Sequence, residues 1–211
     1  MLTAFRLTGR AIALWWREFA ALVFLNIVWL ALQIPIVTGP PATATMYVVA
    51  RRVAHGELVS LQQTWLDLRR MFLPAWKWGA INAVVAVAVV GNFWFYRDVF
   101  GWGWILLRLA WGTIALGWFA VNLFYWPFWL AQETRSTRTT LRNATLFLMK
   151  EPGFALTLVL INVTLIIASI LLTLPLAALM MAWLALIGAL AVEEALHPHE
   201  QDDGVTIELI Q

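Results

Sequence analysis

Residues 33–45 read Gln-Ile-Pro-Ile-Val-Thr-Gly-Pro-Pro-Ala-Thr-Ala-Thr and interrupt an apolar sequence that continues on both sides. Pro35, Pro40 and Pro41 rule out one uninterrupted helix, because proline lacks an N–H group and clashes with the preceding turn. Three interpretations fit such a break: a cleavage site, an ordinary loop, or a broken helix at membrane depth. The sequence on either side of the break bears on the choice among them.

The composition is that of a membrane protein. Of the 211 residues, 62% are hydrophobic and 12% are charged, whereas a soluble domain carries roughly 25% charged residues. The mean hydropathy is +0.79, and several apolar runs approach the ~20 residues that a helix needs to span a bilayer. The 14 tryptophans suit the membrane–water interface. The sequence therefore predicts an all-α, polytopic helical membrane protein.

Apolar and amphipathic segments alternate along the chain. We expect six helical membrane segments, at 19–37, 40–54, 75–95, 104–131, 154–173 and 176–195. We expect amphipathic interfacial helices at 2–18, 60–73 and 135–150. Ser60 and Gln63 fit a capping box at the start of the second amphipathic helix, and Pro74 is expected to end it. Residues 1–195 then form one membrane domain, and the polar, acidic tail 196–211 is expected to be disordered.

The second membrane segment is short. At about 1.5 Å per residue, residues 40–54 extend roughly 22 Å, less than the ~30 Å hydrocarbon core. The segment therefore either spans as a short helix or forms one arm of a re-entrant pair. A signal peptide is an alternative, because Ala42-Thr-Ala44 resembles its cleavage site. Against it, the preceding apolar run exceeds the ~7–15 residues of a signal peptide.

Similar short motifs precede an asparagine in three places. They are Arg17-Glu-Phe-Ala before Asn26, Met71-Phe-Leu-Pro before Asn82, and Lys150-Glu-Pro-Gly-Phe-Ala before Asn162. This weak repeat predicts three units, each an amphipathic interfacial helix followed by an apolar helical hairpin.

Positive charge is distributed unevenly. Segments 1–18, 51–77 and 133–150 carry three, five and four Lys or Arg residues, and only Arg97 and Arg108 lie elsewhere. Because Lys and Arg accumulate in cytoplasmic segments, we expect all three basic segments in the cytoplasm. The N- and C-termini are then both cytoplasmic.

This orientation requires residues 19–54 to leave the cytoplasmic side and return. Residues 33–45 become the outer turn of that pair. We expect the turn to lie in a depression covered by other helices, because lipid cannot satisfy bare backbone groups.

Several of these residues resemble the signature of a known family. They are Asn26-x-x-Trp29, Pro35, Thr38-Gly39-Pro40, the small run Ala42 to Ala44, Arg51-Arg52 before Gly56-Glu57, and, further on, Leu141-Arg-Asn143-Ala144 and Pro152. This pattern resembles the YesL-like family of bacterial integral membrane proteins, domain of unknown function 624, over residues 10–195. The family usually has Thr-x-Gly-Pro-Ala, whereas here Thr38 directly precedes Gly39 and Pro41 is an additional proline.

The resemblance implies a multi-pass protein of the bacterial inner membrane. The family has no established activity, and its members often accompany carbohydrate-uptake systems. A role as an accessory or scaffold factor for such a system is therefore what the resemblance implies.

Three asparagines fall near the middle of membrane segments and are candidate intramembrane polar contacts: Asn26, Asn122 and Asn162. Their amides either contact a polar substrate or form interhelical hydrogen bonds, and we favour the second interpretation. On the longest helix, an aromatic residue recurs every seven residues, at Trp104, Trp111, Trp118 and Tyr125. This stripe suits a sugar-stacking platform, or else contact with lipid or a neighbouring helix. Small residues on another face favour close helix approach, namely Ala110, Thr113, Gly117 and Ala120.

A basic face is expected on the third amphipathic helix. Arg135, Arg138 and Arg142 lie three and four residues apart, so they share one face, which contacts anionic headgroups or docks a cytoplasmic partner. In the tail, His197, His199 and Glu200 offer weak metal ligands, but a solvated tail is the simpler interpretation. We expect no cofactor, no metal and no nucleic acid.

No catalytic constellation or phosphate-binding loop is visible in the sequence. We therefore expect a non-enzymatic membrane protein whose partners are the lipid bilayer and transporter subunits. The alternative is a small-solute transporter or channel with its site at the broken first hairpin. A membrane enzyme is a more remote third possibility.

Overall fold

A computed structural model describes residues 2–172 and 179–196 of the chain. Within these residues the fold consists of nine helices and contains no strand, which confirms the predicted all-α class. In chain order the helices are α1 (Leu2–Arg17), α2 (Phe19–Gln33), α3 (Gly39–Ala54), α4 (Leu61–Arg70), α5 (Phe72–Phe95), α6 (Trp102–Ala131), α7 (Thr137–Lys150), α8 (Pro152–Leu172) and α9 (Met180–Leu196).

The largest differences from the predicted boundaries are at the ends of α2 and α4. Helix α2 ends at Gln33 rather than at 37, because Pro35 has no N–H group to continue the helical hydrogen bonds. The Ser60 side chain caps α4 by accepting the backbone N–H of Gln63 at 3.4 Å, which is one half of the predicted capping box. Pro74 does not end α4, because α5 has already begun at Phe72 and tolerates proline in its first turn.

Helices α3 and α9 form the centre of the fold. Most positions of α3 are buried, and so is every position of α9 from Met181 to Val192. Residues 120 and 123–130 of α6 are buried with them. The remaining helices surround this centre. The connection expected between the predicted membrane segments 154–173 and 176–195 lies outside the described residues.

A single-residue break joins each amphipathic helix to the apolar helix that follows. The break residues are Glu18, Met71 and Glu151. Each one donates its N–H to the carbonyl four residues earlier, and its own carbonyl accepts the N–H four residues later, at distances of 2.8–3.2 Å. The chain bends by 91° between α1 and α2, so α1 runs across the axis of α2.

Three helices are long and apolar enough to cross a membrane: Phe72–Phe95, Trp102–Ala131 and Pro152–Leu172. The bent pair α1 and α2 makes a fourth if it forms one span. Helices α2, α3 and α9 have 15, 16 and 17 residues, so length and composition alone support three to four spans rather than six.

The three long apolar helices expose much of their apolar surface. In α5 only Ala75 and Trp78 are buried, and α6 is buried only in its second half. Exposed apolar residues cover the rest, including Val84, Val87, Leu106 and Leu109. Such a surface is stable against the hydrocarbon of a lipid bilayer, because the apolar side chains are then not exposed to water.

Candidate functional site at the first hairpin

The turn between α2 and α3 satisfies its backbone groups locally. Ile36 and Gly39 donate their N–H groups to Gln33 and Ile36 at 3.1 Å, and the Thr38 hydroxyl donates to the Leu32 carbonyl at 2.6 Å. Ile34 and Ile36 are exposed, so the expected covering by other helices is wrong. Local hydrogen bonds satisfy part of the turn, and Trp76 on α5 donates its Nε1–H to the Val37 carbonyl at 2.8 Å.

Part of the family-like motif packs α2, α3 and α5 together, whereas Pro35 is exposed. Trp29 donates its Nε1–H to the Thr43 hydroxyl at 3.0 Å. A Cβ on Gly39 would lie 2.8 Å from the Gln33 Oε1 atom, so the two helices approach closely there.

Two further contacts complete this packing. A Cβ on Gly79 would lie 3.0 Å from Pro40, which places α5 directly against the first turn of α3. Ala42 and Ala44 are buried inside α3, an arrangement that a signal-peptide cleavage site does not predict.

Asn26 caps a helix that lies far along the chain. Its Oδ1 atom accepts the N–H groups of Met181 and Ala182 at 2.9 and 3.1 Å, and the side chain is fully buried. These N–H groups belong to the first turn of α9, where no intrahelical acceptor exists. Asn26 therefore makes an interhelical contact of the kind that the sequence favoured.

Two helices exchange tryptophan–asparagine hydrogen bonds reciprocally. Trp78 on α5 donates to Asn122 on α6 at 3.1 Å, and Trp118 on α6 donates to Asn82 on α5 at 2.8 Å. Each asparagine also donates to the carbonyl of the tryptophan four residues earlier in its own helix. This network was not predicted from the sequence, although α5 and α6 share the spacing Trp-x-x-x-Asn that produces it.

The aromatic stripe of α6 faces other parts of the chain. Trp78 stacks on Tyr125, with ring centroids 3.6 Å apart, and on Trp118 at 5.4 Å. Trp104 stacks on Tyr96 at 4.7 Å. Of the roles predicted for the stripe, contact with neighbouring parts of the chain is therefore the one that the structure shows for these residues. The small-residue face is mostly exposed, and no atom lies within 4 Å of a Cβ built on Gly117, so the expected close approach does not occur there.

A cavity of about 550 Å³ opens between the first hairpin, α5, α6 and the start of α9. Its polar side chains include Gln33, Thr43, Asn82 and Asn122, and tryptophans form much of the remaining wall. Among the residues that the structure describes, no Asp, Glu, His, Lys or Arg side chain lines it. Amides beside aromatic rings suit an uncharged polar ligand and supply no general acid or base.

A second cavity, of about 120 Å³, is lined by α3, α6 and α9, which also line part of the first cavity. Its lining includes Arg51, His55 and Glu193. Tyr47 lines both cavities and is buried between them. The Arg51 guanidinium donates to the Leu130 carbonyl, which ties the end of α3 to the end of α6.

Ion pairs hold together the ends of α1, α3, α4 and α9. Arg52 pairs with the buried Asp67. Arg6 and Arg10 pair with Glu194 and Glu193 at 2.6 and 3.8 Å. These bonds gather much of the charge at one end of the central helices.

The other candidate residues lie elsewhere. Asn162 is buried on α8 and donates to Leu158 at 2.8 Å, but its Oδ1 atom has no hydrogen-bond partner among the described residues. Helix α7 begins at Thr137, and Arg135 precedes it with left-handed backbone at φ 48°. Arg135 is therefore not on the helical face of Arg138 and Arg142, contrary to expectation.

Residues 2–172 and 179–196 contain no group of three or more His, Cys, Asp or Glu side chains that could hold a metal ion. His197, His199 and Glu200 lie outside the described residues. Comparisons with protein-family models, curated proteins and solved structures found no match to this chain.

Proposed function

We propose that this chain is a non-enzymatic membrane protein that acts as an accessory or scaffold factor for a bacterial carbohydrate-uptake system. The observation that carries the proposal is the exposed outer half of the α5–α6 hairpin. Its apolar side chains extend beyond the packed centre and contact no other helix in the described part of the chain for much of their length. Transmembrane helices of a transporter can pack on such a surface.

The membrane arrangement proposed with this role has six segments, with both termini in the cytoplasm of a bacterium and a YesL-like architecture. Three features support it. The nine described helices follow one another as three sets of three, and each set begins with an amphipathic helix. The break residues Glu18, Met71 and Glu151 make the same pair of backbone hydrogen bonds. The third helix of each unit, α3, α6 or α9, contributes to the buried centre.

Site-specific photocrosslinking in the native host tests the accessory role. A crosslinking amino acid at Val87, on the exposed hairpin, should capture transporter subunits. The same amino acid at Ile167, which is exposed on α8, is the matched control and should capture them much less. Equal capture from both positions, or capture of no transporter subunit from Val87, would contradict the proposal.

A second candidate function is passage of a small uncharged solute. The supporting observation is that two cavities meet at Tyr47 and share the walls α3, α6 and α9. The Tyr47 ring then separates a vestibule lined by amides from one lined by charged residues.

Reconstitution of the protein alone into liposomes tests this second candidate. Solute flux is measured with small sugars and polyols. Tyr47→Ala should raise the flux, whereas Ser169→Ala, a buried change that touches neither cavity, should not. Flux equal to that of empty liposomes in both the parent protein and Tyr47→Ala would exclude this candidate for those solutes.

A further inference from the structure

A cavity of about 520 Å³ lies where the α4–α5 junction meets the connection between α6 and α7. Four of its lining residues are cationic: Arg69, Arg70, Lys77 and Arg135. Its other described lining residues are Leu73, Pro74, Trp129 and Thr137, and none of them is acidic.

In the described part of the chain, the four cations lack partners of opposite charge. No ion pair involves any of them within residues 2–172 and 179–196, whereas Arg6, Arg10, Arg17 and Arg52 each have one. Asp67 precedes Arg69 by two residues but pairs with Arg52. Like charges around one cavity repel each other, and a bound anion removes that repulsion.

The surrounding structure holds the cavity in shape. The Arg135 guanidinium lies 5.1 Å from the ring centroid of Trp129, which is buried. Arg135 also adopts left-handed backbone at φ 48°, an uncommon conformation for a residue other than glycine. Because α7 begins at Thr137, its first N–H groups add partial positive charge beside the cavity.

An apolar stripe leads away from the cations along α5. Val84 and Val87 lie at helical spacing from Leu73 and Lys77, which line the cavity. All four side chains are exposed. A ligand that places phosphate among the cations can therefore place hydrocarbon chains along Val84 and Val87. Neither a free phosphate ion nor the carboxylates of an acidic peptide would cover these apolar side chains.

We propose that this cavity binds the phosphate headgroup of an anionic phospholipid whose acyl chains lie along α5. The site rests on the proposed membrane arrangement, in which these residues face the cytoplasmic leaflet, but not on the accessory role. Basic pockets between membrane helices on the cytoplasmic side are suited to such headgroups. The bound phosphate joins α4, α5 and the connection before α7, because the four cations lie on these three segments.

Native mass spectrometry of the full chain in mild detergent tests the site. The delipidated protein is titrated with phosphatidylglycerol, cardiolipin and phosphatidylcholine. We expect the two anionic lipids to bind more tightly than phosphatidylcholine. Each charge contributes about fivefold to the affinity, so Arg69→Gln/Arg70→Gln should weaken phosphatidylglycerol binding by about 25-fold.

The matched control is Arg97→Gln/Lys150→Gln, which removes the same charge from exposed positions that do not line the cavity. It should change the affinity less than about twofold, since it removes no contact. If the first double variant does not fold, Lys77→Gln, a change at one exposed side chain, should weaken binding about fivefold.

Three results would overturn the proposal. The first is equal affinity for phosphatidylcholine and phosphatidylglycerol, and the second is an equal loss in the control variant. The third is that inorganic phosphate raises the thermal stability of the protein as much as phosphatidylglycerol does at the same concentration, since the site would then bind a free ion. None of these measurements involves a transporter, so they are independent of the accessory role.

Discussion

The carbonyl oxygen of Leu123 lies against Gly188, so closely that a Cβ on Gly188 would stand 2.6 Å from it. Pro127 cannot donate a hydrogen bond to this carbonyl, although it stands four residues later in α6. The glycine lets the backbone of α9 approach the carbonyl that the proline leaves without its helical donor. A Cα–H···O contact suits this arrangement.

Gly188→Ala should destabilise the protein by about 1–3 kcal/mol, because the methyl group meets rigid backbone and forces α6 and α9 apart. Gly117→Ala is the control, since a Cβ there meets nothing within 4 Å, and higher helix propensity should leave stability unchanged or slightly raised. Thermal unfolding in detergent compares the two. Equal midpoints for Gly188→Ala and the parent would show that the approach is not close.

Asn26→Leu should cost about 1–3 kcal/mol, because two N–H groups at the buried start of α9 lose their acceptor. Asn162→Leu offers the matched change at another fully buried asparagine. Its Oδ1 atom has no hydrogen-bond partner in the described part of the chain, so leucine there should be neutral or stabilising. Unfolding midpoints in detergent measure both. The opposite order of the two variants would contradict the role of Asn26 as a cap.

The Trp118–Asn82 hydrogen bond should show coupling in a double-mutant cycle. Trp118→Phe and Asn82→Leu together should cost less than the sum of the single changes, with a coupling energy of about 0.6–1.7 kcal/mol. Trp29→Phe with Asn82→Leu is the control pair, because Trp29 donates to Thr43 instead, and its effects should add. Zero coupling in the first pair would mean that the hydrogen bond contributes nothing.

Arg52→Gln should destabilise the protein far more than Arg6→Gln. Arg52 is 21% exposed and pairs with Asp67, which is 8% exposed. Removing Arg52 leaves a buried carboxylate unpaired, at a cost of about 3–5 kcal/mol. The Arg6 side chain is 64% exposed, and such pairs contribute at most about 1 kcal/mol. Denaturation curves for both variants check the difference, and a loss of similar size in each would contradict it.

Apolar runs and their polar interruptions were enough to predict the helices themselves. The helical class, the short amphipathic helices and the Ser60 cap all follow from local patterns. These features depend on residues that are near each other in the chain, which is why sequence spacing reveals them.

The central position of α3 and α9 was not predictable in the same way. Both helices are short and rich in small residues, a composition compatible with a peripheral or a central place. Whether they lie at the centre or the periphery depends on which other helices approach them. The cap of α9 by Asn26 joins groups 155 and 156 positions apart, and no local pattern reveals such a partner. Arg135 was misplaced because its backbone leaves the helical conformation two residues before α7 begins.

The burial of α9 has a consequence for the order of synthesis. Ribosomes deliver the chain from its N-terminus, so α3 and Asn26 are synthesised long before the residues of α9 that cover them. Until Met180–Leu196 has been made, the first hairpin lacks the helix that packs along most of its length. A nascent chain that still lacks α9 therefore leaves α3 uncovered on the side where α9 packs in the complete fold.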